Sequence, residues 1–132
     1  MEARRNIIND LVYPELSYKI IGILFSVYNE LGYGYKEKYY EQAVAEHFLR
    51  NKIKFKRQLP YKIKYLGKVI GINYLDFLVE DKIILELKQG NYFSRQNIKQ
   101  VNAYLKITHL RLAILANFTS QGILFKRLVN IK

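Results

Sequence analysis

Residues 75–88 read Leu75-Asp76-Phe77-Leu78-Val79-Glu80-Asp81-Lys82-Ile83-Ile84-Leu85-Glu86-Leu87-Lys88. Two apolar runs flank a short charged interval, which is the pattern of a β-hairpin. With Glu80-Asp81-Lys82 as the loop, Val79 faces Ile83, Phe77 faces Leu85 and Asp76 faces Glu86. Leu75, Phe77, Val79, Ile83, Leu85 and Leu87 then share one side. A two-residue loop would set Asp76 against Leu85 and mix the faces. A slip of one residue turns every side chain over, so the apolar pattern selects the three-residue loop. Asp81 suits that loop because Asp tolerates the left-handed conformation such turns need.

The register has a chemical consequence. Asp76 and Glu86 become cross-strand neighbours with Cβ atoms about 5 Å apart. Lys88 lies two residues past Glu86 and shares its face. Adjacent carboxylates repel unless a cation or a proton sits between them. Hard oxygen ligands at this spacing suit Mg²⁺ or Mn²⁺. A lysine beside them can orient or deprotonate a water and offset charge on a phosphate. The plainer alternative is a solvated Asp–Lys–Glu network. Leu78 and Ile84 on the same face argue against full exposure, because a helix must cover them.

The rest of the chain supplies that cover. Pro14-Glu15 suits a first helical turn, and Leu16, Ile20, Ile23, Leu24, Val27 and Leu31 recur at helical spacing until Gly32-Tyr33-Gly34. A second helix is predicted from about Lys36 to Asn51, with Tyr40, Ala43, Val44, His47 and Phe48 as its apolar stripe. Lys52, Lys54 and Lys56 alternate with Ile53 and Phe55. After Pro60, Lys62 and Lys64 alternate with Tyr61, Ile63 and Tyr65, so both stretches read as strands. Leu66-Gly67-Lys68 reads as a tight turn. Strands follow near 69–79 and 82–88, then a helix capped by Ser94 through about Ile107, then strands at 110–117 and 123–129. The order ααβββ(β)αββ predicts a mixed α/β (α+β) fold, helices packed on a central sheet, in one domain over residues 1–132.

Composition narrows the function classes. The 132 residues include 22 Lys and Arg against 11 acids, for a net charge of +11. Such a balance points to a polyanion, nucleic acid first, although a basic proteome would also produce it. There is no cysteine, which excludes disulfides, cysteine-ligated metals and a thiol nucleophile, and fits a reducing cytoplasm. No apolar run approaches a membrane span, and the first residues lack the apolar stretch of a leader.

Asp76 followed by Glu86-Leu87-Lys88 resembles the signature of the PD-(D/E)xK nuclease superfamily, carried on a hairpin as in those enzymes. Gly34-Tyr35-Lys36-Glu37-Lys38-Tyr39-Tyr40 is similar to the GxxExxY motif of a family of small proteins that look like minimal members of that superfamily. The likeness extends over most of the chain. It implies a nuclease-like core hydrolysing phosphodiester bonds, with DNA the favoured substrate. It implies that Glu37 completes a Mg²⁺ or Mn²⁺ site with Asp76 and Glu86, that the Leu87 carbonyl is a further ligand, and that Lys88 is the catalytic lysine. Gln100 and Tyr104 match a Gln-x-x-x-Tyr helix motif of exonuclease-like branches, and their spacing puts both on one helical face. Two departures stand out. Tyr28 occupies a position where many relatives carry histidine, and Tyr35 and Lys36 replace an apolar pair.

Other residues have weaker assignments. Glu41 is either a supporting acid or a helix-surface charge. Tyr40 is a packing residue that braces Glu37, and His47 and His109 are core or boundary histidines. Tyr92 and Phe93 are placed to meet substrate. The lysines at 52, 54, 56, 62 and 64, with Lys54 and Lys56 foremost, either track phosphates or protect a sheet edge. Two rivals to an enzyme remain at this point: a nucleic-acid-binding module that keeps the fold, and a regulatory protein with an acidic partner. A homodimer or a partner protein is expected to supply specificity that so short a chain has little room for.

Overall fold

The computed structural model describes residues 12–130. The stretch read for a leader, residues 1–11, lies outside it. Helix α1 spans Pro14–Leu31, with proline in the first turn where its missing N–H costs nothing, and it ends at Gly32, φ 73°. Helix α2 spans Glu37–Arg50. Strand β1 covers Phe55–Tyr65, β2 Lys68–Val79 and β3 Ile83–Gln89. Helix α3 is Arg95–Thr108, its N-cap Ser94 accepting from the Asn97 N–H at 3.3 Å. Strands β4, Leu112–Thr119, and β5, Gly122–Val129, close the chain. Among the described residues no helix is long and apolar enough to cross a membrane.

The five strands lie in sequence order, β1-β2-β3-β4-β5. All neighbours are antiparallel except β3 and β4, which run parallel across the α3 connection. Helices α1 and α2 cover one face, burying Ile20, Leu24, Val44 and Phe48 against Phe77, Leu85 and Ile114. Helix α3 covers the other, with Val101 and Leu105 on Ile84, Ala113 and Leu115. Strand β4 is buried along its whole length because both faces are covered.

The hairpin register is the expected one: Val79 pairs with Ile83 and Phe77 with Leu85 around Glu80-Asp81-Lys82. Asp81 is left-handed at φ 55°, and so is Glu80 at φ 52°. Two expectations are corrected. The two basic stretches around Pro60 are not separate strands. Residues from Phe55 run through Pro60 to Tyr65 without a break, so the order is ααβββαββ. Proline is tolerated there because β1 is an edge strand with one side free of a ladder. Leu75 does not join the Phe77 side but packs with Ile84 and Leu105 beneath α3. The β1–β2 ladder skips the Gln58–Asp76 position, where Gln58 is left-handed at φ 55°, and the strand changes face there.

Strand β3 pairs with only Phe77–Val79 of β2, whereas β1 and β2 stay paired from Phe55–Val79 to Tyr65–Lys68. Their outer part is a two-stranded arm that extends from the sheet just before Asp76. Leu66 and Gly67, both at positive φ, turn its tip.

Candidate active site

Where the β2–β3 ladder ends, side chains take over from backbone. The Asp76 N–H donates to Glu86 Oε1 at 2.7 Å, and the Leu87 N–H donates to Asp76 Oδ2 at 2.7 Å. Each carboxylate thus caps the opposite strand. Both are buried, at 8% and 3% exposure. Burial and the Glu86 charge push the Asp76 carboxyl up to about 8, against the Leu87 N–H bond that favours its charged form. Burial pushes Glu86 up to about 7, opposed by the Asp76 N–H and by Lys88. The pair therefore keeps a proton near neutrality that an exposed pair would lose.

Glu41 enters the same field. Its carboxyl is raised on balance, by burial first, with Arg57 opposing from Nη2, 3.7 Å from Oε1; Gln58 Nε2 donates to the same oxygen at 3.0 Å. The structure thus favours the supporting acid over the surface charge. Arg57, which the sequence reading did not single out, also lies over the Phe77 ring at 5.5 Å. Its signal is parity. Arg57 stands in the alternation of Ile53 and Phe55, where an apolar residue belongs, and a cation on that side needs an acid to meet.

Glu37 is the first residue of α2, where a negative charge suits the helix dipole. Its Oε1 accepts from the Gln89 N–H at 3.2 Å, one residue past Lys88. Stacking on Phe118 of β4 holds both helices at that place, α2 through Tyr40 and α1 through Tyr28. Tyr40 lies on Phe118 at 4.1 Å and Tyr28 on Phe118 at 6.3 Å, while the Tyr40 hydroxyl donates to the Gly32 carbonyl at 2.5 Å. Tyr40 is the packing residue expected of it. Tyr28 is also structural, its hydroxyl donating to the Thr119 carbonyl at 2.6 Å.

Among the described residues no three His, Asp or Glu side chains form a metal-holding group. Asp76 and Glu86 come together, while Oε1 of Glu37 is turned to the end of β3. The donor set still fits a divalent cation. The second oxygen of each buried carboxylate makes no hydrogen bond among the described residues. Hard oxygens in a like-charged pair are the ligands that Mg²⁺ and Mn²⁺ take.

The loop after Lys88 is pinned by buried Asn117, whose Nδ2 donates to the Tyr92 carbonyl at 2.7 Å and the Gly90 carbonyl at 3.3 Å. Tyr92 points out, 88% exposed, but Phe93 packs under α3 and is not free for substrate. Gln100 and Tyr104 lie on α3, and the Tyr104 ring meets Tyr61 of β1 at 6.3 Å. Lys54 precedes β1, its backbone N–H on Glu80 Oε2 at 2.7 Å. Lys56 forms an exposed ion pair with Asp81 at 3.5 Å. Neither lysine meets the acids. His47 is half-buried in a groove with Lys19 and Asn51, and His109 caps α3 in the left-handed region, φ 62°.

A family model of the PD-(D/E)XK nuclease superfamily matches residues 14–128 of the chain. Among solved structures, the crystal structure of SSO0001 matches with a TM-score of 0.53 at 17% identity, over 71% of this chain and 50% of that one. This chain thus spans about half the length of that one. No curated protein matches.

Proposed function

The chain belongs to the PD-(D/E)XK nuclease superfamily, and from that premise we propose that it is a metal-dependent nuclease acting on DNA. The observation that carries the proposal is the buried Asp76–Glu86 pair, cross-bonded through backbone N–H groups with one oxygen of each left unpartnered. A pure binding module has no use for two buried carboxyls with raised proton affinity.

In this reading Asp76 and Glu86 would hold Mg²⁺ or Mn²⁺, with the Leu87 carbonyl and Glu37 as the further ligands. The bound cation supplies Lewis acidity toward the scissile phosphate and a water. Lys88 keeps the water oriented and offsets charge on the phosphate. Gln100 and Tyr104 position the strand from α3. Hydrolysis adds one water: its oxygen bonds to phosphorus, the ester P–O bond breaks, and the leaving oxygen takes up a proton. Glu41, tied to Arg57, sets the local potential without being a ligand. The reading places the protein in the cytoplasm, with nucleic acid as its partner.

The test is incubation with linear, circular and single-stranded DNA and with RNA, in Mn²⁺ or in EDTA. Cleavage of DNA in Mn²⁺ alone supports the proposal. Binding without cleavage in any metal refutes it.

A further inference from the structure

The outer part of β1 and β2 projects as an arm with which no other strand among the described residues pairs. Its composition is one-signed. From residue 47 to residue 75 the chain has no acid, and the arm itself carries Lys62, Lys64 and Lys68. The cross-strand pairs set cations beside apolar side chains: Lys62 with Ile72, and Lys64 with Val69. Ile70 is 66% exposed and the tip residue Leu66 is 86% exposed. Leu66 also holds φ 51°, a conformation usually left to Gly, Asn or Asp. A leucine there is the wrong residue for the turn and the most exposed large apolar side chain of the arm. Nothing within the fold rewards it.

We propose that this arm grips duplex DNA along a groove, with Leu66 wedged between base steps at its tip. The proposal rests on the nuclease reading and supplies its substrate class. Charge complementarity selects the occupant. A second copy would bring the same lysines against each other, on a chain already at +11. A polyanion meets them with opposite charge, and apolar wedges such as leucine are the side chains that open a base step. A two-stranded ribbon is also of a width that duplex grooves accept. The arm leads into the site: Leu75 precedes Asp76 directly, and Tyr61 at the arm's base is braced on Tyr104 of α3. From Lys68 to Asp76 the strand covers roughly 26 Å, so the wedge would act about eight base pairs from the acids.

The test is fluorescence anisotropy with the whole protein in EDTA, on a duplex and a single-stranded DNA of equal length across a salt series. Replacing Lys62, Lys64 and Lys68 together by Gln should flatten the log–log salt slope on duplex by about 2–3, near 0.9 for each phosphate no longer neutralised. Leu66→Asn suits the left-handed turn and should leave folding intact. It should keep the slope, weaken duplex binding roughly tenfold and abolish the brightening of a 2-aminopurine duplex. An unchanged slope in the triple variant overturns the proposal, as does wild-type brightening in Leu66→Asn. Equal effects on single strands overturn the duplex assignment. A dimer by light scattering that Leu66→Asn dissolves, with duplex binding unaltered, gives the arm to a second copy instead. Cleavage in Mn²⁺ is scored separately. Its absence with the slope change present unseats the nuclease reading alone, whereas its presence with an unchanged slope unseats the arm alone.

Discussion

Replacing Asp76 by Asn keeps an acceptor for the Leu87 N–H and removes one charge from the buried pair. In the metal-free protein the Asp76 carboxyl is raised from 3.8 to about 8, by burial first and the Glu86 charge second. A folded pKa above the unfolded one contributes stability that is complete below about pH 4 and is lost as pH rises through about 8. One pKa unit is worth about 1.4 kcal/mol, so a rise of roughly four units corresponds to about 6 kcal/mol; because the proton is shared with Glu86, about half of that, on the order of 3 kcal/mol, falls to Asp76 on full ionisation. The asparagine variant escapes most of that loss. Thermal unfolding followed by circular dichroism in EDTA should show the variant melting about 10 °C above wild type near pH 8.5, since ~1 kcal/mol moves a domain of this length by roughly 3–5 °C. Near pH 4 the two should coincide. Mn²⁺ at about ten times its Kd adds roughly 1.4 kcal/mol to wild type and nothing to the variant. Parallel pH profiles in EDTA, or a variant that melts lower near pH 8.5, would refute the charge-strained pair. Equal Mn²⁺ responses would refute its role as the metal site.

Three further outcomes are expected. Glu86→Gln retains an acceptor for the Asp76 N–H, so its circular dichroism spectrum should match wild type while Mn²⁺-dependent cleavage falls at least about a hundredfold. Tyr40→Phe loses the bond to the Gly32 carbonyl and should cost about 1 kcal/mol in urea unfolding, leaving the stack on Phe118 in place. Phe48→Ala empties the centre of the ring cluster with Phe55 and Phe77 and should cost roughly 3–5 kcal/mol in the same assay.

The register of the 75–88 hairpin was legible because local rules agree there. Period-two apolarity, a loop rich in charge and an Asp able to turn left-handed all specify one pairing. Ser94 was legible as a cap for the same reason. What escaped the sequence depends on contacts distant in the chain. Pro60 breaks a strand by local rules, and only its edge position in the sheet spares β1. Leu75 obeys alternation until the left-handed Gln58 turns the strand, and nothing in residues 55–65 announces that conformation. Glu41 is a surface charge by helix pattern until Arg57 arrives from β1 to meet it. The Asp76–Glu86 pair was visible as neighbours, but the exchange of side-chain for backbone hydrogen bonds was not. It exists because the ladder stops at Phe77–Leu85 and leaves two N–H groups to be satisfied.

The cross-bonded acids also set an order in time. Asp76 and Glu86 are separated by 10 positions, whereas the parallel partners Ile83 and Leu112 meet only after the chain has passed through α3. Closing the short loop is entropically cheaper, and hairpins form within microseconds, so the two acids approach one another before the parallel pairing completes the sheet. Their repulsion then opposes the nucleating step, while the larger penalty of burial falls later, when the helices cover the sheet. Protonation should accelerate refolding by relieving the repulsion and slow unfolding by relieving the penalty of burial. The chain thus assembles faster in mild acid than at the pH where its two acids are charged.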